Sequence, residues 1–244
     1  MDVAARNDLI RQLRQEVLSL QGFKRSLDEQ KIQTGLSGLE AAFPNQVFPT
    51  GAVHEFISTR IEDATATNGF IAGLLSCLIK HNGVCVWVSA RRTIFPPALT
   101  LFGIRPERII FIDCKRQKEL LWTVEEALKC EVLGAVIGEL SELGFKESRR
   151  LQLAVEQSRV TGLIHRYQPK TENTVACVTR WKVKPLPSNL EDGMPGVGFP
   201  RWRVQLVKVR NGKPGFWDIE WKGGKFNYVA GETYPMQLPV RKAV

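Results

Sequence analysis

The sequence lacks the long apolar run of a membrane protein. Its longest apolar stretch, from Phe70 to Ile79, is about half the roughly 20 residues that a membrane-spanning helix needs. The opening residues contain no apolar signal region. We therefore expect a cytoplasmic protein that makes no contact with a membrane.

The sequence also lacks the residue spacing of a metal site. No two cysteines form a Cys-x-x-Cys pair, and the histidines stand at no ligand spacing from them. Each cysteine lies in or beside an apolar stretch, which predicts buried, reduced thiols and no bound metal. The residues concerned are Cys77, Cys85, Cys114, Cys130, Cys177, His54, His81 and His165.

Acidic residues are scarce in the C-terminal part of the chain. Residues 145–244 contain 18 Lys and Arg but only 8 Asp and Glu, whereas residues 1–144 contain 16 and 17. The excess positive charge therefore lies wholly in the C-terminal part. A localised basic surface is typical of proteins that bind nucleic acid, although a solvated basic face without a partner has the same composition.

Short apolar strands alternate with helical segments through the middle of the chain. This pattern is typical of an α/β fold whose mostly parallel sheet is covered by helices on both faces. The predicted strands are 52–57, 84–88, 109–112, 135–137 and 162–164, and the predicted helices are 69–80, 97–102, 118–130 and 148–159.

The pattern then changes to alternating strands with short or turn-rich connections. The segments 175–184, 201–210 and 216–222 are predicted strands, and Asn211-Gly212 is a strong hairpin signal between the last two. We expect an antiparallel extension at the C-terminal side of the sheet.

Three regions follow from these patterns. Residues 1–31 contain a predicted amphipathic helix, 8–21, and a charged linker. Residues 32–229 are the predicted domain, with a long surface loop at 185–200. Residues 230–244 are a predicted tail.

The segment after the first predicted strand lacks the residues of a phosphate-binding loop. Such a loop needs several glycines that let backbone N–H groups surround the phosphates, a lysine, and a Ser or Thr for magnesium. Residues 58–69 contain one glycine and no lysine, and Glu62 and Asp63 would repel a triphosphate. We expect neither a nucleotide cofactor nor ATPase activity, so an enzyme is not predicted. The residues at these positions are Ser58, Thr59, Arg60, Thr67, Asn68 and Gly69.

Glu139 follows the predicted strand 135–137, where a nucleotide-binding protein places a carboxylate that orients magnesium. Glu139 could hold a metal, but a carboxylate at a strand end is more often solvated. No cluster of residues suits nucleophilic or metal-dependent hydrolysis, and no catalytic residue is predicted.

Residues 32–40 (IQTGLSGLE) and 48–56 (FPTGAVHEF) resemble the entry to the RecA core. Three further stretches resemble the ImuA family more specifically, and the likeness covers roughly residues 32–222. They are 121–130 (LWTVEEALKC), 135–140 with 148–156 (AVIGEL, SRRLQLAVE), and 179–183 with 200–206 and 217–221 (TRWKV, PRWRVQL, WDIEW).

The resemblance implies a RecA-like accessory protein of error-prone translesion DNA synthesis in the bacterial DNA-damage (SOS) response. The partners it implies are an ImuB-like inactive relative of the lesion-bypass polymerases and an error-prone replicative polymerase paralogue, with RecA a further candidate. Two alternatives stay open: a RecA-like ATPase that binds DNA, and a cell-division inhibitor of the SulA type. The basic C-terminal part argues against the latter.

Alternation predicts where DNA would bind. Arg180, Lys182 and Lys184 share one face of a strand, and Arg201 and Arg203 share one face of the next. If these faces align, five cations line one surface, which Arg149, Arg150 and Arg166 would extend. A solvated strand face is the alternative. The loops through which RecA contacts DNA have only short counterparts, 141–147 and 167–173.

Overall fold

The computed structural model describes residues 34–79, 83–188, 196 and 198–229. All of them belong to the compact unit Ile32–Val244. The predicted N-terminal helix and linker, and the tail 230–244, lie outside the described residues, as do residues 189–195 and 197 of the predicted surface loop.

Within the described residues, nine strands form one sheet in the order β3-β2-β4-β5-β1-β6-β7-β8-β9. The first six strands in this order run parallel, and the pairs β6–β7, β7–β8 and β8–β9 are antiparallel. The prediction of a mostly parallel sheet with an antiparallel C-terminal extension is therefore confirmed. The strands are β1 Val53–Ser58, β2 Val84–Ser89, β3 Ile109–Asp113, β4 Leu133–Leu140, β5 Thr161–Tyr167, β6 Thr179–Leu186, β7 Arg201–Val209, β8 Gly215–Lys222 and β9 Lys225–Tyr228.

Helices cover the parallel part of the sheet on both faces. Phe70 of α2 packs in one apolar cluster with Trp181 of β6. Val124 of α3 and Leu151 of α4 pack in a second cluster with Val53 of β1, on the opposite face. The described helices are α1 Ser37–Glu40, α2 Ile61–Leu78, α3 Gln117–Leu128 and α4 Phe145–Ser158, and the 3-10 helices are Pro96–Phe102 and Pro106–Arg108.

Aromatic rings fill the space between α2 and the C-terminal strands. Trp181 stacks on Phe56 with ring centroids 6.2 Å apart, and Phe70 lies 5.4 Å from Phe226. Two glycines of α2 make room for these rings. A Cβ atom at Gly69 would lie 2.9 Å from the Trp202 ring, and one at Gly73 would overlap Phe226. The helix backbone therefore packs directly against the aromatic layer.

Helix α2 begins eight residues earlier than predicted. It starts at Ile61, so residues 61–68, predicted to be a loop, form its first two turns. Glu62 and Asp63 lie in the first turn, where a carboxylate interacts favourably with the positive end of the helix dipole. Strand β9 was also missed, because Phe226 is its only buried residue. A turn with positive φ at Gly223 and Gly224 leads into it.

The burial of the cysteines is only partly as predicted. Cys85 and Cys177 are buried, Cys77 and Cys114 are half-buried, and Cys130 is exposed. Cys130 lies just beyond the end of α3, in the turn before β4, which explains its exposure.

Candidate functional site

The carboxyl ends of the parallel strands are where α/β proteins of this type bind ligands. Here β1 ends at Ser58 and α2 begins at Ile61, so only Thr59 and Arg60 connect them. A phosphate-binding loop needs a longer, glycine-rich connection whose N–H groups surround the phosphates. This connection is too short to form one.

The N-terminus of α2 is occupied by a side chain of its own first turn. Asp63 is only 4% exposed. Its carboxylate accepts hydrogen bonds from the Thr59 hydroxyl at 3.4 Å and from the Arg60 guanidinium at 3.3 Å. A carboxylate therefore stands near the helix end that would otherwise attract a phosphate.

Hydrogen bonds from His165 tie β5 to β1 and to α2. The His165 Nε2 atom lies 2.9 Å from the Ser58 hydroxyl, and its Nδ1 atom lies 2.9 Å from the Asn68 side-chain oxygen. The Ser58 hydroxyl also lies 2.8 Å from that of Thr67. Burial lowers the pKa of His165 to about 4, so the ring is neutral at pH 7. Because Ser58 is 1% exposed, this line of residues offers no nucleophile to a substrate.

The same chain of hydrogen bonds continues to Glu139 on β4. The Asn68 amide donates to Thr93 at 3.3 Å, and Thr93 donates to Glu139 at 3.3 Å. The Trp87 indole N–H donates to Glu139 at 2.8 Å. Burial raises the pKa of Glu139, which is thus a partly buried group engaged by Trp87 and Thr93.

We call Ser58, Thr67, Asn68, Trp87, Thr93, Glu139 and His165 the strand-end network. Four of these residues were singled out in the sequence for the nucleotide position, whereas Trp87, Thr93 and His165 were not. His165 alone carried a signal, as a histidine among the apolar residues of β5. Gly69 is not a loop glycine but a residue of α2 that faces Trp202. In the part of the chain that the structure describes, no cluster of three or more His, Cys, Asp or Glu side chains could hold a metal ion.

The loops 141–147 and 167–173 are hydrogen-bonded to each other. The Lys170 backbone N–H donates to the Glu142 carboxylate at 2.8 Å, and the Asn173 amide donates to the Leu143 carbonyl at 2.9 Å. The Arg166 guanidinium donates to Asn173 at 3.1 Å. These contacts hold the loops against the sheet.

Arg166 is not part of the exposed cationic surface, contrary to the prediction. Its side chain is fully buried and pairs with the equally buried Glu55, at 2.7 Å. Arg180 pairs with the other Glu55 oxygen at 2.5 Å. One buried carboxylate therefore holds two of the predicted DNA-binding arginines.

The remaining cations of β6 and β7 do share one face of the sheet. Lys184 pairs in register with Arg203, and Arg180 pairs with Lys208. Trp181, Val183 and Val204 point to the opposite face and are buried there. The exposed face also carries Lys208, which sequence reasoning missed because the strand-pairing register was unknown. We call this side of β6, β7 and β8 the open face.

Most cations of the open face are paired with carboxylates. Arg203 donates to Asp218 at 2.7 Å, and Arg201 donates to Glu220 at 2.6 Å. Lys182 donates to Glu172 at 2.6 Å.

Arg149 and Arg150 lie elsewhere, on α4. Arg150 pairs with Glu125 of α3, and Arg149 lies 3.9 Å from Glu156. The structure therefore does not bring these two residues onto the strands with the other cations.

The strand order, the crossing helix α2 and the strand-end position of the network define a protein with the RecA-like fold. Two solved structures share it. The RadB recombinase has a TM-score of 0.55 at 15% identity, covering 81% of this chain and 99% of that chain. A KaiC-like protein of Pyrococcus horikoshii OT3 has a TM-score of 0.54 at 12% identity, covering 82% and 99%.

The sequence relatives identify the family. Protein ImuA of Caulobacter vibrioides, in the strain NA1000 / CB15N, is 31% identical over 198 residues, which cover 76% of this chain and 81% of the relative. Protein ImuA of the strain ATCC 19089 / CIP 103742 / CB 15 gives the same values. The chain belongs to the ImuA family.

No family model matches the sequence. Among the helices that the structure describes, none is both long and apolar enough to cross a membrane.

Proposed function

We propose that this protein is a non-catalytic, RecA-like accessory protein of error-prone translesion DNA synthesis in the DNA-damage (SOS) response. It works beside DNA and joins a polymerase-like partner to it. Membership of the ImuA family supports the pathway, because the resemblance noted in the sequence implies this role. The proposed location is the cytoplasm, where the replication machinery of a bacterium acts.

The observation that carries the non-catalytic part is the strand-end network. Side chains of α2, β1, β2, β4 and β5, together with Thr93, form one hydrogen-bonded network at the strand ends where this fold would bind a nucleotide. The connection after β1 has neither the glycines that would surround the phosphates nor the lysine that would neutralise the γ-phosphate. We infer that the RecA-like fold serves here as a scaffold.

The proposed partners are those that the family resemblance implies: an ImuB-like inactive polymerase relative and an error-prone replicative polymerase paralogue, with RecA a further candidate. A scaffold of this kind contributes binding surfaces. Loss of one surface is therefore expected to remove one partner while leaving the fold and the other contacts intact.

The test measures damage-induced mutation frequency in cells of the source bacterium. Deletion of the gene is expected to lower the frequency after ultraviolet irradiation, and the wild-type gene is expected to restore it. Glu139→Gln and Arg60→Ala are expected to restore it equally well, because neither residue binds nucleotide in this account. Immunoblots verify that each variant reaches the wild-type protein level.

Three outcomes would contradict the proposal. An unchanged mutation frequency in the deletion strain would show that the protein does not act in damage-induced mutagenesis. Failure of Glu139→Gln and Arg60→Ala at normal protein levels would favour the RecA-like ATPase. Filamentous, undivided cells on overproduction, without an effect on mutagenesis, would favour a SulA-type inhibitor.

A further inference from the structure

We infer that the open face binds single-stranded nucleic acid through Lys182, Lys184 and Lys208, and that the arginines beside them serve the fold. This inference rests on the proposed function, because that function supplies nucleic acid as the ligand. It differs from the sequence prediction in the residues it assigns and in the form of nucleic acid.

The lysines carry the charge that is available to a ligand. Within the described residues, neither Lys184 nor Lys208 has a carboxylate within ion-pair distance, and Lys208 donates only to the Val175 carbonyl at 3.3 Å. Lys182 pairs with Glu172, but both side chains are about one-third exposed. Such an exposed pair contributes little and opens readily for a phosphate.

The arginines are engaged in pairs that a phosphate would have to break. Arg203 donates from two nitrogens to both oxygens of Asp218, which is 9% exposed. Arg180 pairs with a carboxylate that is wholly buried. Removing either arginine from its partner would leave a poorly hydrated carboxylate behind, which costs free energy. These arginines therefore stay with their carboxylates when a ligand binds.

The position and length of the open face suit a single strand. Among the described helices, α3 and α4 pack on this side of the sheet, over β1, β2, β4 and β5, and the lysines project from the adjacent strands β6 and β7. From Arg180 to Lys184 the row extends about 13 Å at 3.3 Å per residue, long enough for a short run of phosphates.

Two aromatic rings lie beside cations of β7 and β8, and rings of this kind stack on bases in proteins that bind single strands without reading their sequence. The Arg203 guanidinium lies 5.9 Å from the centre of the Phe216 ring, and the Lys222 ammonium lies 4.8 Å from that of Phe199. The acidic row of β8, Asp218 and Glu220, limits the polyanion to the β6–β7 side. The loops 141–147 and 167–173 are tied to each other by hydrogen bonds.

The test is fluorescence anisotropy of the full chain with a labelled single strand of mixed sequence, across a salt series and with the matching duplex as competitor. The triple variant Lys182→Gln/Lys184→Gln/Lys208→Gln is expected to bind roughly 10- to 100-fold more weakly at about 0.1 M salt. The slope of the logarithm of the binding constant against the logarithm of salt concentration is expected to decrease in magnitude by about 2, because each of the three lost phosphate contacts contributes roughly 0.7. Circular dichroism checks that the variant is folded.

Two control variants test whether binding depends on these three lysines or only on the total positive charge, and whether an arginine ion pair contributes to it. Lys118→Gln/Lys146→Gln/Lys213→Gln removes the same charge from exposed lysines on other surfaces. Arg201→Gln/Glu220→Gln removes one ion pair of the open face at constant net charge. Both are expected to bind like the wild type.

The assignment would be overturned if the first control lost as much affinity for the single strand as the triple variant does. It would also be overturned if the duplex competed as well as an unlabelled single strand. The inference would also be overturned if the wild-type protein bound no nucleic acid and the triple variant lost a protein partner. The open face would then be a protein-docking surface. The cellular mutagenesis test is independent of these readings, so failure of the proposed function is distinguishable from failure of this site.

Discussion

The Nε2 atom of His165 lies 2.9 Å from the hydroxyl oxygen of Ser58, joining the ends of β5 and β1. Both side chains are at least 97% buried. In a nucleotide-binding relative of the fold, the phosphate loop would follow this strand. Here Ser58 is a hydrogen-bonding partner within the protein core, so the strand-end network is part of the packed structure.

Protonation of two buried histidines is expected to destabilise the protein in mild acid. Burial lowers the pKa of His54 and of His165 to about 4, from 6.5 for the unfolded chain. The unfolded state binds these protons more tightly than the folded state. The free energy of unfolding is therefore independent of these histidines above pH 6.5, and it decreases as the pH falls from 6.5 toward 4. Each histidine lowers the free energy of unfolding by about 1.4 kcal/mol per pH unit in that range.

Urea unfolding at pH 7, 6 and 5 measures this dependence. His165→Gln is expected to reduce the slope by about half, since His54 still titrates. The same slope in that variant as in the wild type would show that His165 is not a buried neutral group.

Glu139→Gln is expected to leave the protein as stable as the wild type at pH 7, or up to about 1 kcal/mol more stable. Burial raises the pKa of Glu139, so its carboxylate is disfavoured once the pH rises above that pKa. The glutamine keeps an oxygen for the Trp87 N–H and carries no charge. The advantage is expected to vanish in acid, where Glu139 is itself protonated.

Thermal unfolding at pH 7 and pH 4 compares the two proteins. A large loss of stability on the Glu139→Gln change at pH 7 would mean that the negative charge is required, as it would be for a metal ligand.

Gly73→Ala is expected to destabilise the protein by about 1–3 kcal/mol, because the new methyl group would overlap the Phe226 ring in the packed core. Gly134→Ala is a matched control in β4, where the nearest atom to a new Cβ lies 3.8 Å away. Chemical denaturation distinguishes them. Equal effects of the two changes would contradict the close packing of α2 on the aromatic layer.

Glu55→Gln is expected to destabilise the protein by roughly 3–5 kcal/mol, since it leaves the buried Arg166 with only the partly exposed Glu142, at 3.4 Å, as a counter-charge among the described residues and removes the carboxylate that pairs with Arg180. Glu156→Gln is the control, because its pair with Arg149 spans 3.9 Å and is partly exposed. That change is expected to cost less than about 1 kcal/mol. A small effect at Glu55 would show that Arg166 finds solvent or other partners.

The strands could be predicted wherever burial alone determines the pattern. Residues 84–88 and 109–112 are continuous apolar runs in a parallel sheet, and the alternation of β6 placed Trp181 inside and Lys182 outside. Such signals are local in sequence, so they survive without knowledge of the tertiary contacts.

The pairing of charges could not be predicted, because it depends on contacts between distant residues. Glu55 and Arg166 are 111 positions apart, and Arg203 meets Asp218 only through the β7–β8 register. Residues 61–68 resemble a degenerate phosphate loop until the contact of Asp63 with Thr59 and Arg60 shows a helix start. Each error in the candidate site has this origin.

The most direct test of the central claim is a titration of the wild-type protein with ATP and Mg²⁺, followed by calorimetry and by thermal unfolding. The account predicts no saturable heat and no change in melting temperature up to millimolar ATP. Binding of one ATP per chain would contradict it, with a stabilisation that grows as the logarithm of ligand concentration. In that case the strand-end network would have to open to admit the nucleotide.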